Sequence, residues 1–192
     1  MKNLFIIFLN SIFINNFVLA KFLGLCPIFG VSKQVKSALG LSLATVIILV
    51  LSCTISYLIY YSILVPLHLQ WLEIIIFIFV IACLVQACEI IIKAKSPLLQ
   101  RNLGIYLPLI TTNCSVLGLA LLNIRENNNL IETIIYSIGS GCGFALVLIA
   151  FSAIREQLQV ADIPKPFEGG SIAMITMGLI ALGFMGFSGF NF

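Results

Sequence analysis

Charge is what this chain has least of. Only 9% of its 192 residues are Asp, Glu, Lys or Arg, against about 25% in a soluble domain. That scarcity excludes a soluble globular fold and leaves no room for a sizeable soluble domain. It also excludes a nucleic-acid surface, because the net charge of +3 comes from lysines scattered over connectors, with no basic patch interleaved with aromatics. Histidine occurs once, as His68, in a connector with no second ligand nearby. The chain carries no P-loop, no dinucleotide fingerprint, no HExxH and no nucleophilic triad, so no complete active site.

What is present is apolar. Hydrophobic residues make up 61% of the chain, and mean hydropathy is +1.17, so this is an integral membrane protein. A spanning helix needs about 20 mostly apolar residues. Six stretches qualify, at about 4–31, 39–63, 72–92, 102–124, 131–154 and 171–190. The beginning of the chain, with Lys2 before an apolar run to Ala20, has the outline of a signal peptide. Asn10, Asn15 and Asn16 interrupt that run, and no small-x-small site precedes Lys21, so a first membrane helix fits better.

The connectors place Lys33, Lys36, Lys93, Lys95, Arg101, Arg155 and Lys165 on one side and only Lys2 and Arg125 on the other. The positive-inside rule makes the first side cytoplasmic. Both termini are then expected on the opposite face, the periplasmic one in a diderm bacterium.

Two short patterns stand out within the spans. Gly24-Leu25-Cys26-Pro27-Ile28-Phe29-Gly30 lies in span 1 and Thr111-Thr112-Asn113-Cys114-Ser115-Val116-Leu117-Gly118 in span 4. Each holds a Cys-x-x-x-Gly beside helix breakers or small polar residues. Three spans per half means that the second half enters the membrane in the opposite sense. The expected fold is therefore all-α: six transmembrane helices as two inverted three-helix repeats, 1–97 and 98–192, with helices 1 and 4 interrupted near the midplane. A pseudo-two-fold axis would make Cys26 and Cys114 partners.

Three roles compete for these cysteines. A free Cys packs as a small hydrophobe, which also accounts for Cys53, Cys83, Cys88 and Cys142 in unbroken apolar runs. A disulfide requires an oxidant that a midplane pair does not meet. Metal ligation suits a soft thiolate and points to zinc, copper or an iron–sulfur cluster. Two cysteines fill half of a four-thiolate set, and a partner subunit is the expected source of the rest. Gly24, Pro27 and Gly30 would break helix 1 and turn backbone N–H groups toward sulfur, with Thr111, Thr112 and Asn113 as donors opposite. Lys21 reads as a snorkelling side chain, Glu89 and Lys93 as an i,i+4 pair, and Arg155-Glu156 as an interfacial anchor.

The runs Asn15-Asn16-Phe17-Val18-Leu19, Lys21-Phe22-Leu23-Gly24-Leu25-Cys26-Pro27, Gly30-Val31-Ser32-Lys33 and Leu107-Pro108-Leu109-Ile110-Thr111-Thr112-Asn113-Cys114 resemble the A-subunit family of Rnf electron-transport complexes. Ala153-Ile154-Arg155-Glu156 and Gly183-Phe184-Met185-Gly186-Phe187-Ser188-Gly189 extend the likeness to the end of the chain. This family, also called RsxA, is related to the E subunit of the sodium-pumping NADH:quinone reductase. The resemblance implies a multi-pass subunit of a bacterial inner-membrane complex that moves electrons between ferredoxin and NAD, coupled to sodium or proton translocation. It also implies a paralogous six-helix partner of the Rnf E type, further Rnf subunits, and one intramembrane 2Fe–2S cluster with two cysteines from each paralogue. Here those ligands would be Cys26 and Cys114. The competing expectation is an inverted-repeat secondary transporter or channel without a redox centre.

Overall fold

The computed structural model describes residues 4–14, 16–31, 35–67, 70–95, 113–126, 128–158, 164 and 169–186. Among the described residues every regular element is helical. The first apolar stretch is divided into α1 (Leu4–Leu9), a π turn over Asn10–Ile14, α2 (Phe17–Lys21) and α3 (Leu25–Val31). Then come α4 (Val35–Ile59), which continues through a π turn into Val65–Leu67, and α5 (Glu73–Lys95). The second half contains α6 (Cys114–Arg125), α7 (Leu130–Leu158) and α8 (Gly170–Met185).

Among the described residues three helical stretches are long and apolar enough to cross a membrane: Ala38–Leu67, Glu73–Ile91 and Leu130–Leu158. At 1.5 Å per residue the longest reaches about 45 Å, more than the roughly 30 Å hydrocarbon core. Shorter apolar helices, Cys114–Arg125 and Gly170–Met185, lie beside them. The stretch before Cys114 that would complete span 4 lies outside the described residues, as do Thr111 and Thr112.

α4 and α7 form the central pair, with α6 against α4 and the first stretch against α7. α7 accepts such close neighbours because small residues line it. A Cβ at Gly139 would come 3.0 Å from Ser11 Oγ, and one at Gly143 would come 3.2 Å from Ile12 O. Hydroxyls join the helices between these glycines: Ser11 Oγ and Ser140 Oγ lie 2.7 Å apart, and Ser11 Oγ also donates to Tyr136 O at 3.2 Å. Small and weakly polar contacts suit packing in lipid, where apolar burial against another helix offers little advantage.

The break between the π turn and α2 is held by Asn16. Its Oδ1 accepts from Val18 N at 3.1 Å and caps α2, while its Nδ2 donates to Ile12 O and Gly143 O, each at 3.2 Å. Irregular backbone at membrane depth requires such internal partners. α2 ends where Phe22 turns left-handed, with φ 52°, and the N–H groups of Phe22 and Leu23 both return to Phe17 O, the latter at 3.4 Å. Phe17 stacks on Phe144 at 6.3 Å and Phe29 meets Phe151 edge-on at 5.7 Å, so α2 and α3 both lean on α7.

α5 is peripheral. Its buried stripe is Phe77, Ile81 and Val85, one helical turn apart, while Ile74, Ile75, Ile78 and Phe79 are exposed. This is the pattern of a helix with one face on the protein and the rest toward lipid.

Candidate metal centre at two helix starts

Cys26 is the second residue of α3 and Cys114 the first of α6. Each cysteine thus stands at the start of a helix, although the two starts differ in construction.

Before α3 the chain turns through Phe22, Leu23 and Gly24. Gly24 has φ 78°, a conformation that L side chains resist. A Cβ there would lie 3.1 Å from Ser115 Cβ and 3.2 Å from Phe144 Cε2, so bulk is barred as well. Leu23 packs on α6 at Gly118, where a Cβ would sit 2.7 Å from Leu23 Cδ1. The glycine of the second Cys-x-x-x-Gly pattern therefore makes room for the turn that precedes the first Cys.

Before α6 stands Asn113, extended at φ −75°, ψ 113°. Its Oδ1 accepts from Ser115 N at 3.1 Å and Ser115 Oγ at 2.7 Å, an N-cap that sets the direction of the first turn. Its Nδ2 is buried and has no partner among the described residues.

These two starts meet. Gly24 N–H donates to Cys114 Sγ at 3.1 Å. Gly24 is two residues from Cys26, so the α-carbons of Gly24 and Cys26 are within about 8 Å of each other. Both thiols are exposed on this chain, outside its own core. Among the described residues no three His, Cys, Asp or Glu side chains gather as a metal-ligand set.

These features fit a thiolate-bound cluster. A backbone N–H already rests on one sulfur, an orphaned amide N–H group lies next to the same cysteine, and helix N-termini favour negative sulfur. With both thiols exposed, the further ligands of such a cluster would have to come from outside the described residues.

Residues 4–191 match the profile of the family described as "Rnf-Nqr subunit, membrane protein". The chain belongs to this family. Curated relatives of this Rnf-Nqr subunit extend over nearly all of it. It is similar to the A subunit of the ion-translocating oxidoreductase complex of Alkalilimnicola ehrlichii, 52% identical over 98% of both chains. It is also similar to the proteins of that name from Psychromonas ingrahamii, at 54%, and Aliivibrio salmonicida, at 55%, again over 98% of both chains.

Other sequence expectations fare differently in this Rnf-Nqr subunit. Span 1 is interrupted, as its breakers foretold, but not at Pro27 or Gly30. Both lie within α3, and Pro27 occupies the first turn, where its missing N–H costs nothing. The breaks fall instead at Asn16 and at Phe22–Gly24. Cys53 is buried, Cys88 half-buried, and Cys83 and Cys142 exposed, so core packing within this chain holds for Cys53 alone. Lys21 is exposed in the last turn of α2. His68 and the side chain of Lys93 lie outside the described residues.

Arg155, expected as an interfacial anchor, makes a contact within the protein. Its Nη1 donates to Phe29 O at 2.8 Å, tying α7 to the last turns of α3. The signals for these contacts were present in the sequence: Asn before an apolar run marks an N-cap, and Gly139-x-x-x-Gly143 marks a close helix contact.

Proposed function

We propose that this chain is a membrane subunit of an ion-translocating oxidoreductase complex and supplies Cys26 and Cys114 to a 2Fe–2S cluster shared with a paralogous E-type subunit. The function that the relatives are named for supports the complex. The observation that carries the cluster is the Gly24 N–H aimed at Cys114 Sγ at 3.1 Å, beside two outward-facing thiols. When bound, such a cluster supplies one-electron transfer.

The chain's own residues do the positioning. Asn113 sets the first turn of α6 and thereby the direction of Cys114. Gly24 and Leu23 dock the preceding turn on α6, which brings Cys26 alongside. Arg155 fixes the far end of α3. Hydrogen bonds to sulfur ease the reduction of an anionic cluster, and exclusion of water opposes it. Gly24 N–H is therefore a tuning group.

In this reading the chain has six spans arranged as inverted repeats, 1–97 and 98–192, in a bacterial inner membrane. Both termini are periplasmic, in accord with the lysine-rich connectors. The partner's cysteines complete the four-thiolate set, and coupling to sodium or proton movement belongs to the whole complex.

The test is spectroscopic. The purified complex is expected to show an electron paramagnetic resonance signal that is absent in Cys26→Ala and in Cys114→Ala, while the other centres persist. An unchanged set of signals in either variant would refute the ligand assignment and favour a transporter without a redox centre.

A further inference from the structure

A second polar region lies away from the cysteines at the helix starts, enclosed by α4, α6 and α7. Thr45, Thr54, Ser137 and Thr176 each donate to the carbonyl four residues earlier, at 2.7–2.8 Å. That is the ordinary solution for a hydroxyl in a membrane helix. Ser52, Ser56 and Thr133 do not adopt it. Their oxygens are buried with no partner, and the residues are at most 1% exposed.

The three share one neighbourhood. Ser52 and Ser56 lie one turn apart on α4, flanking the buried Cys53, which has Ser137 of α7 and Asn123 of α6 as neighbours. Ser137 Oγ in turn bonds Thr133 O at 2.7 Å. From Asn123 the polar line continues to Asn128 in the α6–α7 connector. Its two links, Asn128 Nδ2 to Asn123 Oδ1 and Asn123 Nδ2 to Ser137 Oγ, are both stretched to 3.4 Å, the weak limit for such bonds. Three unsatisfied hydroxyls and two slack amide bonds in one buried region need additional donors and acceptors.

We propose that ordered water occupies this region, forming a hydrated inlet that runs from the α6–α7 connector at Asn128 to Cys53 in the middle of α4. A buried water makes two to four hydrogen bonds, and hydroxyls one turn apart can share one. The donor set favours water over a bare cation. Its own oxygens belong to hydroxyls and amides, the Glu132 carboxylate beside the connector already accepts from Asn129 N at 3.0 Å, and Asn123 Oδ1 already has a donor. This inference stands apart from the cluster reading, since it uses no hydrogen bond of Cys26 or Cys114.

X-ray hydroxyl-radical footprinting of the intact complex tests it, because radicals formed from bound water oxidise adjacent sulfur. Cys53 (1% exposed) is compared with Met177, which is 2% exposed in α8 and serves as the dry control. Once corrected for the intrinsic reactivities of thiol and thioether, Cys53 is expected to label faster than Met177, and Ser52→Ala/Ser56→Ala/Thr133→Val to remove that excess. Equal rates in the wild type would overturn the proposal. Loss of Cys53 labelling that saturates with sodium chloride but not choline chloride would replace water by a cation and also overturn it. As an independent reading, Ser56→Ala is expected to lower Tm by removing a water partner. A raised Tm would mark a dry, unpaired hydroxyl and contradict the inlet.

Discussion

Gly24 meets two demands at once, a left-handed backbone and a lack of room for any side chain. Gly24→Ala is expected to cost about 2–4 kcal/mol, from the left-handed penalty and the clash with Ser115 and Phe144. Chemical denaturation in detergent would measure it. Gly118→Ala should cost less, about 1 kcal/mol, because the obstructing atom is the movable end of Leu23. Cys26 and Cys114 were legible in the sequence because a cysteine beside helix breakers in a membrane span is anomalous. Which breaker acts was not legible. Pro27 is compatible with a first helical turn, and only the three-dimensional course of Phe22 to Gly24 shows that the chain turns before it. Nor does composition reveal that Gly118 serves Leu23, since that contact joins residues 95 positions apart.

At the scale of elements, short helices are held by side chains that cross between them. α2 and α3 contain five and seven residues, too few to be stable alone. Asn16 joins the π turn, α2 and α7 through three hydrogen bonds. Asn16→Ala is expected to lose about 2–3 kcal/mol. Asn16→Asp retains the cap acceptor but not the two donated bonds, and its melting temperature separates the two roles. Arg155→Met releases Phe29 O. Hydrogen exchange should then speed up in the last turn of α3 while the middle of α7 stays protected. Equal exchange in both proteins would show that Arg155 does not hold α3. The long apolar runs announced α4, α5 and α7 plainly, because their hydropathy is continuous. The segmented first stretch was legible only as interrupted, since its pieces are set by tertiary contacts with α7.

For the whole molecule, the division between buried and outward faces carries the functional reading. Phe77 is fully buried and Phe79, two residues on, is 70% exposed. Phe77→Ala should therefore cost about 3–5 kcal/mol, and Phe79→Ala less than about 0.5 kcal/mol. Comparable losses would mean that this face of α5 is not turned toward lipid. The outward thiols of Cys26 and Cys114 follow the same logic, for they point to where the chain's own packing ends. In the proposed function they form half of a site that another subunit completes. The most direct measurement is iron per heterodimer after this chain is co-purified with its paralogue. About two irons are expected, lost in Cys26→Ala and in Cys114→Ala but retained when Cys53, Cys83, Cys88 or Cys142 is replaced. Two irons retained in either of the first two variants would contradict the shared site.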